Sequence, residues 1–202
     1  MSYLYHVTTN TKAKRILKKG LEPGYTSSEF EPSIAEAERQ MGIDRDDGDF
    51  WDEAGDFDTM PAEMAAREDF NEFLSRSSPR GKPTHNDAIF FWTSADQANM
   101  NASMMMNKPL NTETYVVLKV AKKDLPCKCY GASTEKAEDL FDDIMNHSGD
   151  WNPSPDEEDK ERFWEKAEAY YEDMKVWEGQ EDEDLEVLCS CPIPAKVIKR
   201  AI

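Results

Sequence analysis

Apolar positions along this 202-residue chain fall into short alternating runs separated by stretches with helical spacing, which predicts a mixed α+β domain. Residues 3–7, YLYHV, read as a strand. Thr9 or Asn10 is placed to cap a helix over about 11–19, with Ala13, Ile16 and Leu17 as its apolar face and Gly20 at its end. Residues 88–93, AIFFWT, form an aromatic strand in which alternation puts Phe90 and Trp92 on one face and Phe91 on the other. Ser94 with Gln97 makes a capping-box pattern, followed by a helix with Ala98, Ala102 and Met105 on one side. Residues 115–120, YVVLKV, and 186–190, EVLCS, are further strands, and VIKRAI at the end is a last short one. Phe163, Ala167, Tyr170, Met174 and Trp177 recur at helical spacing, so 157–177 reads as a helix packed on a core. MPAEMAAREDFNEFL reads as a short helix, 44–58 as a loop, RSSPRGKPTHND as a linker, and Met104 to Met106 as helix core.

Composition fits a globular chain: 39% of residues are hydrophobic and 10% aromatic, against a mean hydropathy of -0.79. The length suits a single domain over 1–202. Its net charge of -18 opposes binding to nucleic-acid backbones and anionic membranes, so neither is expected as a partner. The charge is unevenly spread. Residues 29–72 hold 16 acidic and 3 basic side chains, residues 135–186 hold 21 and 5, and the rest of the chain holds 5 and 16. The chain thus reads as a basic scaffold with acidic insertions at about 29–72 and 135–183. MSYLYHVTT lacks the basic-then-apolar pattern of an export signal, and no apolar run approaches the roughly 18 residues of a membrane helix. A cytoplasmic protein is expected. Cys127, Cys129, Cys189 and Cys191 form two C-x-C pairs, for which that compartment disfavours disulfides. C-x-C spacing is poor for zinc, which leaves four thiols as the expected state and zinc unlikely.

Three scaffold segments carry candidate chemistry: LYHVTTNTKAKRILKKGLEP, IFFWTS with the helix after it, and EVLCSCPIPAKVI. In this order they resemble the His-Tyr-Glu branch of the ADP-ribosyltransferase superfamily, as found in bacterial and phage members. The resemblance covers about a third of the chain and neither acidic stretch. It implies a split antiparallel β-sheet with flanking helices, and NAD as substrate. His6 falls on the histidine that bonds a ribose hydroxyl, and Thr8 on the small polar residue after it. Val7 stands where the family often has Gly, its backbone gripping the nicotinamide amide. Phe90 falls on the stacking tyrosine, with Trp92 and Ser94 on the same cofactor-binding segment. Glu186 falls on the catalytic glutamate, with Glu183 as the fallback register.

The chemistry those residues would serve is coherent. Breaking an N-glycosidic bond builds positive charge on the ribose, which calls for a nearby carboxylate and an aromatic shelf for the departing pyridine. The expected function is a mono-ADP-ribosyltransferase, and the acidic surface suggests a basic protein as acceptor. Two alternatives are an acidic non-catalytic protein that occupies a partner's basic nucleic-acid-binding surface, and an RNA 2′-phosphotransferase-like enzyme. His85 and His147 lie in polar, loop-like contexts and receive no role.

Overall fold

A computed structural model describes residues 2–24, 59–106, 114–147, 155–182 and 184–201. The segment expected as a loop at 44–58 lies outside them, as do Glu183 and most of the first acidic stretch. Seven strands of the described residues form one sheet: β1 (Tyr3–Thr9), β2 (Ile89–Trp92), β3 (Tyr115–Ala121), β4 (Tyr130–Ser133), β5 (Lys175–Val176), β6 (Leu185–Cys189) and β7 (Ile198–Arg200). Their order is β5-β4-β6-β2-β1-β3-β7, and every pairing is antiparallel. Among the described residues five α-helices accompany them: α1 (Asn10–Lys19), α2 (Thr59–Ser77), α3 (Ala95–Met106), α4 (Thr134–Met145) and α5 (Glu157–Glu172).

The sheet has two covered faces. On one, Leu4, Phe91, Leu118 and Val187 meet Ala13 and Ile16 of α1. The turn after α1 is pinned there, because Leu21 and Ile193 exchange backbone hydrogen bonds of 2.9 and 2.8 Å. Gly20 ends α1 with φ 102° and ψ 178°, and a Cβ on it would stand 2.5 Å from the Ile193 carbonyl oxygen. On the other face, α3 sets Ala98 and Ala102 against Val117 over one half of the sheet. Helices α2, α4 and α5 cover the other half, with Leu74, Leu140, Ile144, Phe163 and Tyr170 packed over Ala132 and Leu188.

The second acidic stretch therefore supplies core as well as charge. Helix α4, which the sequence pattern did not reveal, is capped by Ser133 accepting from the Lys136 N–H and buries Ala137, Leu140 and Ile144. Helix α5 starts at a reciprocal Asp156–Asp159 capping box and stops at Glu172, short of the expected 177. There the chain turns so that Lys175 and Val176 can pair with β4, and Met174 and Trp177 stay buried outside the helix. Charged partners on the outer side clamp α4 to α5: Asp143 pairs with Arg162 at 2.9 Å and Lys166 at 2.7 Å. Burial alone would raise the Asp143 carboxyl, but these two cations outweigh it and hold the pKa below its ordinary value.

Two expectations are corrected. Met104 is 62% exposed and Met106 39% exposed, because α3 turns Ala98 and Ala102 to the sheet. Met104 and Met106 are therefore surface rather than helix core, and the side chain of Met105 lies outside the described residues. The four cysteines are not free thiols: Cys127 bonds Cys191 and Cys129 bonds Cys189. The Tyr130↔Leu188 register places Cys129 opposite Cys189, with Cα atoms 4.5 Å apart, the spacing of a non-hydrogen-bonded antiparallel pair. Such bonds suit an oxidising environment better than the cytoplasm expected from the sequence. No helix among the described residues is long and apolar enough to cross a membrane.

Alkylation of denatured protein without reductant should block no cysteine, and after reduction all four; four alkylated sites without reductant would disprove both bonds. Gly20→Ala should cost about 2 kcal/mol or more in urea unfolding, since only glycine readily adopts that backbone conformation. An unchanged urea midpoint would show that the Gly20–Ile193 approach is not tight.

Candidate functional site

Register decides which predicted residues can meet. Tyr5 pairs with Trp92, and Trp92 with Glu186, so these three side chains form one cross-strand row on a single face. Phe90, two residues before Trp92, shares that face. His6 is the next residue after Tyr5 and so points to the opposite face, where its ring tilts against Phe91 at 5.7 Å. The sheet thus brings Phe90, Trp92 and Glu186 together and does not bring His6 onto their face.

The link between His6 and that row runs along the junction of β1 and β2. β1 pairs with β3 at seven positions, from Tyr3↔Ala121 to Thr9↔Tyr115, but with β2 only at Tyr5↔Trp92. Just past this single pair, His6 Nδ1 donates to the Phe90 carbonyl at 2.9 Å, so an imidazole takes the place of a backbone rung. That bond fixes the tautomer and leaves Nε2 as an acceptor. Burial is the main cause lowering the His6 pKa; the Phe90 carbonyl opposes it, and the Lys12 charge adds to it.

The other predicted residues have plain structural partners. Val7 packs at the edge of the α3 cluster, and Thr8 is buried on the His6 face. Trp92 lies partly buried against the α3 cluster. Ser94 caps α3, its Oγ accepting from the N–H groups of Asp96 at 3.2 Å and Gln97 at 3.5 Å. Thr93 staples the approach to β6 by donating to the Asp182 carbonyl at 2.5 Å and accepting from its N–H at 2.8 Å.

Glu186 is the one residue of the row with a built polar environment. It is 8% exposed, and its Oε1 accepts from the Tyr170 hydroxyl at 2.5 Å and from His85 Nε2 at 3.0 Å. His85 Nε2 also lies 2.9 Å from the Tyr170 oxygen, so its N–H is shared between the two. Tyr170 is fully buried on α5, and its pKa is pushed well above the ordinary value by burial first and then by the Glu186 charge. The phenol therefore remains a donor at neutral pH. His85 sits in a short turn (His85–Asp87) before β2, held edge-on by Phe90 at 4.4 Å and Phe70 at 5.2 Å.

Sequence reasoning missed His85 and Tyr170 as partners of Glu186. Tyr170 was legible as core, but the polar sequence around His85 gave no hint that its ring would be buried. Chemically, the arrangement offers a fixed carboxylate beside aromatic rings, suited to stabilising positive charge on a ligand. It does not suit a metal: among the described residues no group of three or more His, Cys, Asp or Glu could hold one, and the cysteines are paired. No family model matches the chain, and no curated protein matches it.

The His6 shift has a pH consequence. Because the folded pKa lies below the ordinary value of about 6.5, the unfolded chain takes up the proton first, and this contribution to stability is lost as pH falls through about 6.5. Between pH 7.5 and 5.5 the urea midpoint of the wild type should therefore drop more than that of His6→Gln. Equal drops would mean that His6 is not held neutral by the fold.

Proposed function

We propose that the chain is an NAD-cleaving mono-ADP-ribosyltransferase in which Glu186 is the reacting carboxylate. The observation that carries this reading is the Tyr5–Trp92–Glu186 row, set where β1 and β2 part after a single pair. A sheet that forks there is in keeping with the split core implied by the sequence resemblance. Glu186 supplies negative charge in a site of low exposure, where it counts for more than in water. Trp92 on the adjacent strand and Phe90 on the same face offer rings for a departing nicotinamide. His6, on the opposite face, serves this shelf through its hydrogen bond to the Phe90 carbonyl rather than by touching the ligand.

In the reaction, the bond between the ribose C1′ and the nicotinamide nitrogen breaks, and its electron pair leaves with neutral nicotinamide. The acceptor's nucleophile bonds C1′ and gives up its proton. Positive charge builds on the ribose as the bond lengthens, and Glu186 lowers the barrier by stabilising that charge rather than the ground state. The exposed faces of α4 and α5 carry Glu138, Asp142, Glu161 and Glu165, among other acids, which favours a basic protein as acceptor.

Incubation with adenylate-labelled NAD and basic proteins should give labelled protein or free nicotinamide, and Glu186→Gln should slow this about 100-fold or more. Absence of both products with the wild type would overturn the reading. If a cellular effect of the protein survived Glu186→Gln, a non-catalytic acidic binding protein would be the better description.

A further inference from the structure

Both hydrogen bonds to Glu186 converge on one oxygen. Oε1 takes the Tyr170 hydroxyl and the His85 N–H, and no hydrogen bond to Oε2 is found among the described residues, although the side chain keeps a tenth of its surface open. One oxygen is anchored by two donors and the other is left without a partner among the described residues. We propose that Tyr170 and His85 are positioning residues that aim Oε2 of Glu186 at the reacting ribose, a role that rests on the transferase reading above.

A purely structural account of this cluster is hard to sustain on energetic grounds. A carboxylate, a phenol and an imidazole taken from water together lose their hydration, and apolar residues of similar volume in such a place are often as stable or more so. The surroundings are already apolar: Phe70, Phe163 and Leu188 lie in the same cluster as Tyr170. A side chain with the same shape as Tyr170, but no hydroxyl, would fit that core. What the polar trio adds is a fixed carboxylate rotamer. Two donors from unlinked parts of the chain, 16 and 101 residues away from Glu186, restrict it in two directions. His85 also presses edge-on against Phe90, so one side chain sets both the carboxylate and a ring of the aromatic shelf. The second acidic stretch, which the resemblance does not cover, thereby takes part in the site through α5.

The test is steady-state NAD cleavage by the full chain carrying Tyr170→Phe, His85→Leu or His85→Gln, with urea unfolding of each. Tyr170→Phe and His85→Leu should lower kcat about 100-fold, the loss typical of a misplaced reacting group, with KM for NAD little changed. His85→Gln keeps an amide N–H near the position of Nε2 and should recover most of that loss, an outcome that a packing role would not produce. Wild-type kcat in folded Tyr170→Phe and His85→Leu, or a His85→Gln as slow as His85→Leu, would overturn the positioning role while leaving the transferase reading intact. A wild type that cleaves no NAD would overturn both. If Tyr170→Phe fails to fold, the two His85 variants decide the matter.

Discussion

Glu186 stands in the middle of the sheet with a tenth of its side chain exposed, and that position constrains what can surround it. A carboxylate taken out of water there is costly unless donors reach it, and a hydrogen bond to such a charged group is worth about 1.5–3 kcal/mol. The donors are Tyr170 and His85, and each imports further structure. Tyr170 requires α5 to lie across β6, which in turn requires α4 and α2 to shield the rest of α5. His85 requires the turn before β2 to fold under Phe70 and Phe90. One buried carboxylate thus goes with three helices over the half of this face that carries β6, while among the described residues α3 covers the half of the same face that carries β1 and β3.

The same logic reinterprets the net charge of -18. Acidic residues on α4 and α5 occupy the outer sides of helices whose inner sides are Leu140, Ile144, Phe163 and Ala167. Some of that charge is neutralised locally, since Asp143 meets both Arg162 and Lys166, and Asp159 meets Arg162 at 2.8 Å. The remainder faces solvent and governs encounters rather than folding. The acidic stretch is therefore not an ornament on a basic scaffold. It contributes much of the core cluster shared with α2, β4 and β6, and a hydrogen-bond donor to the Glu186 carboxylate.

How much of this the sequence disclosed depends on the range of the interaction. Local signals were read well: the Thr9 cap, Gly20 at the end of α1, the alternation of Phe90, Phe91 and Trp92, and the Ser94 cap all involve residues within a few positions of one another. Strands β4 and β5 are four and two residues long, too short for alternation to stand out. The site was legible one residue at a time. Glu186 could be singled out by the VLCSCPIP segment after it, but its partners lie at separations no local pattern reports. His6 illustrates the opposite failure, because motif order says nothing about faces, and a single pair, Tyr5↔Trp92, sends it to the other side of the sheet. The cysteines were misjudged for a similar reason: compartment was inferred from the N-terminus, whereas pairing arises from the Tyr130↔Leu188 register.

That register makes the two disulfides largely redundant in their effect on the unfolded chain. Either alone closes a loop of some 60 residues, Cys127–Cys191 spanning 64 and Cys129–Cys189 spanning 60, and such a closure restrains the unfolded chain by about 4 kcal/mol in the entropic model. Once one is in place, the other closes only the small ring made by the two C-x-C segments, so most of the entropic gain is already taken. The second bond therefore contributes chiefly by fixing the β4–β6 register locally. The closed segment holds α4, α5, β5 and β6, hence both Tyr170 and Glu186, while His85 enters from outside it. In an unfolded but oxidised chain Tyr170 and Glu186 stay within one restrained loop, so the contact that must be found by long-range search is the one from His85. The carboxylate is thus secured twice, once inside the disulfide-closed segment and once across its boundary, where the His85 hydrogen bond adds a side-chain link to the β2–β6 ladder.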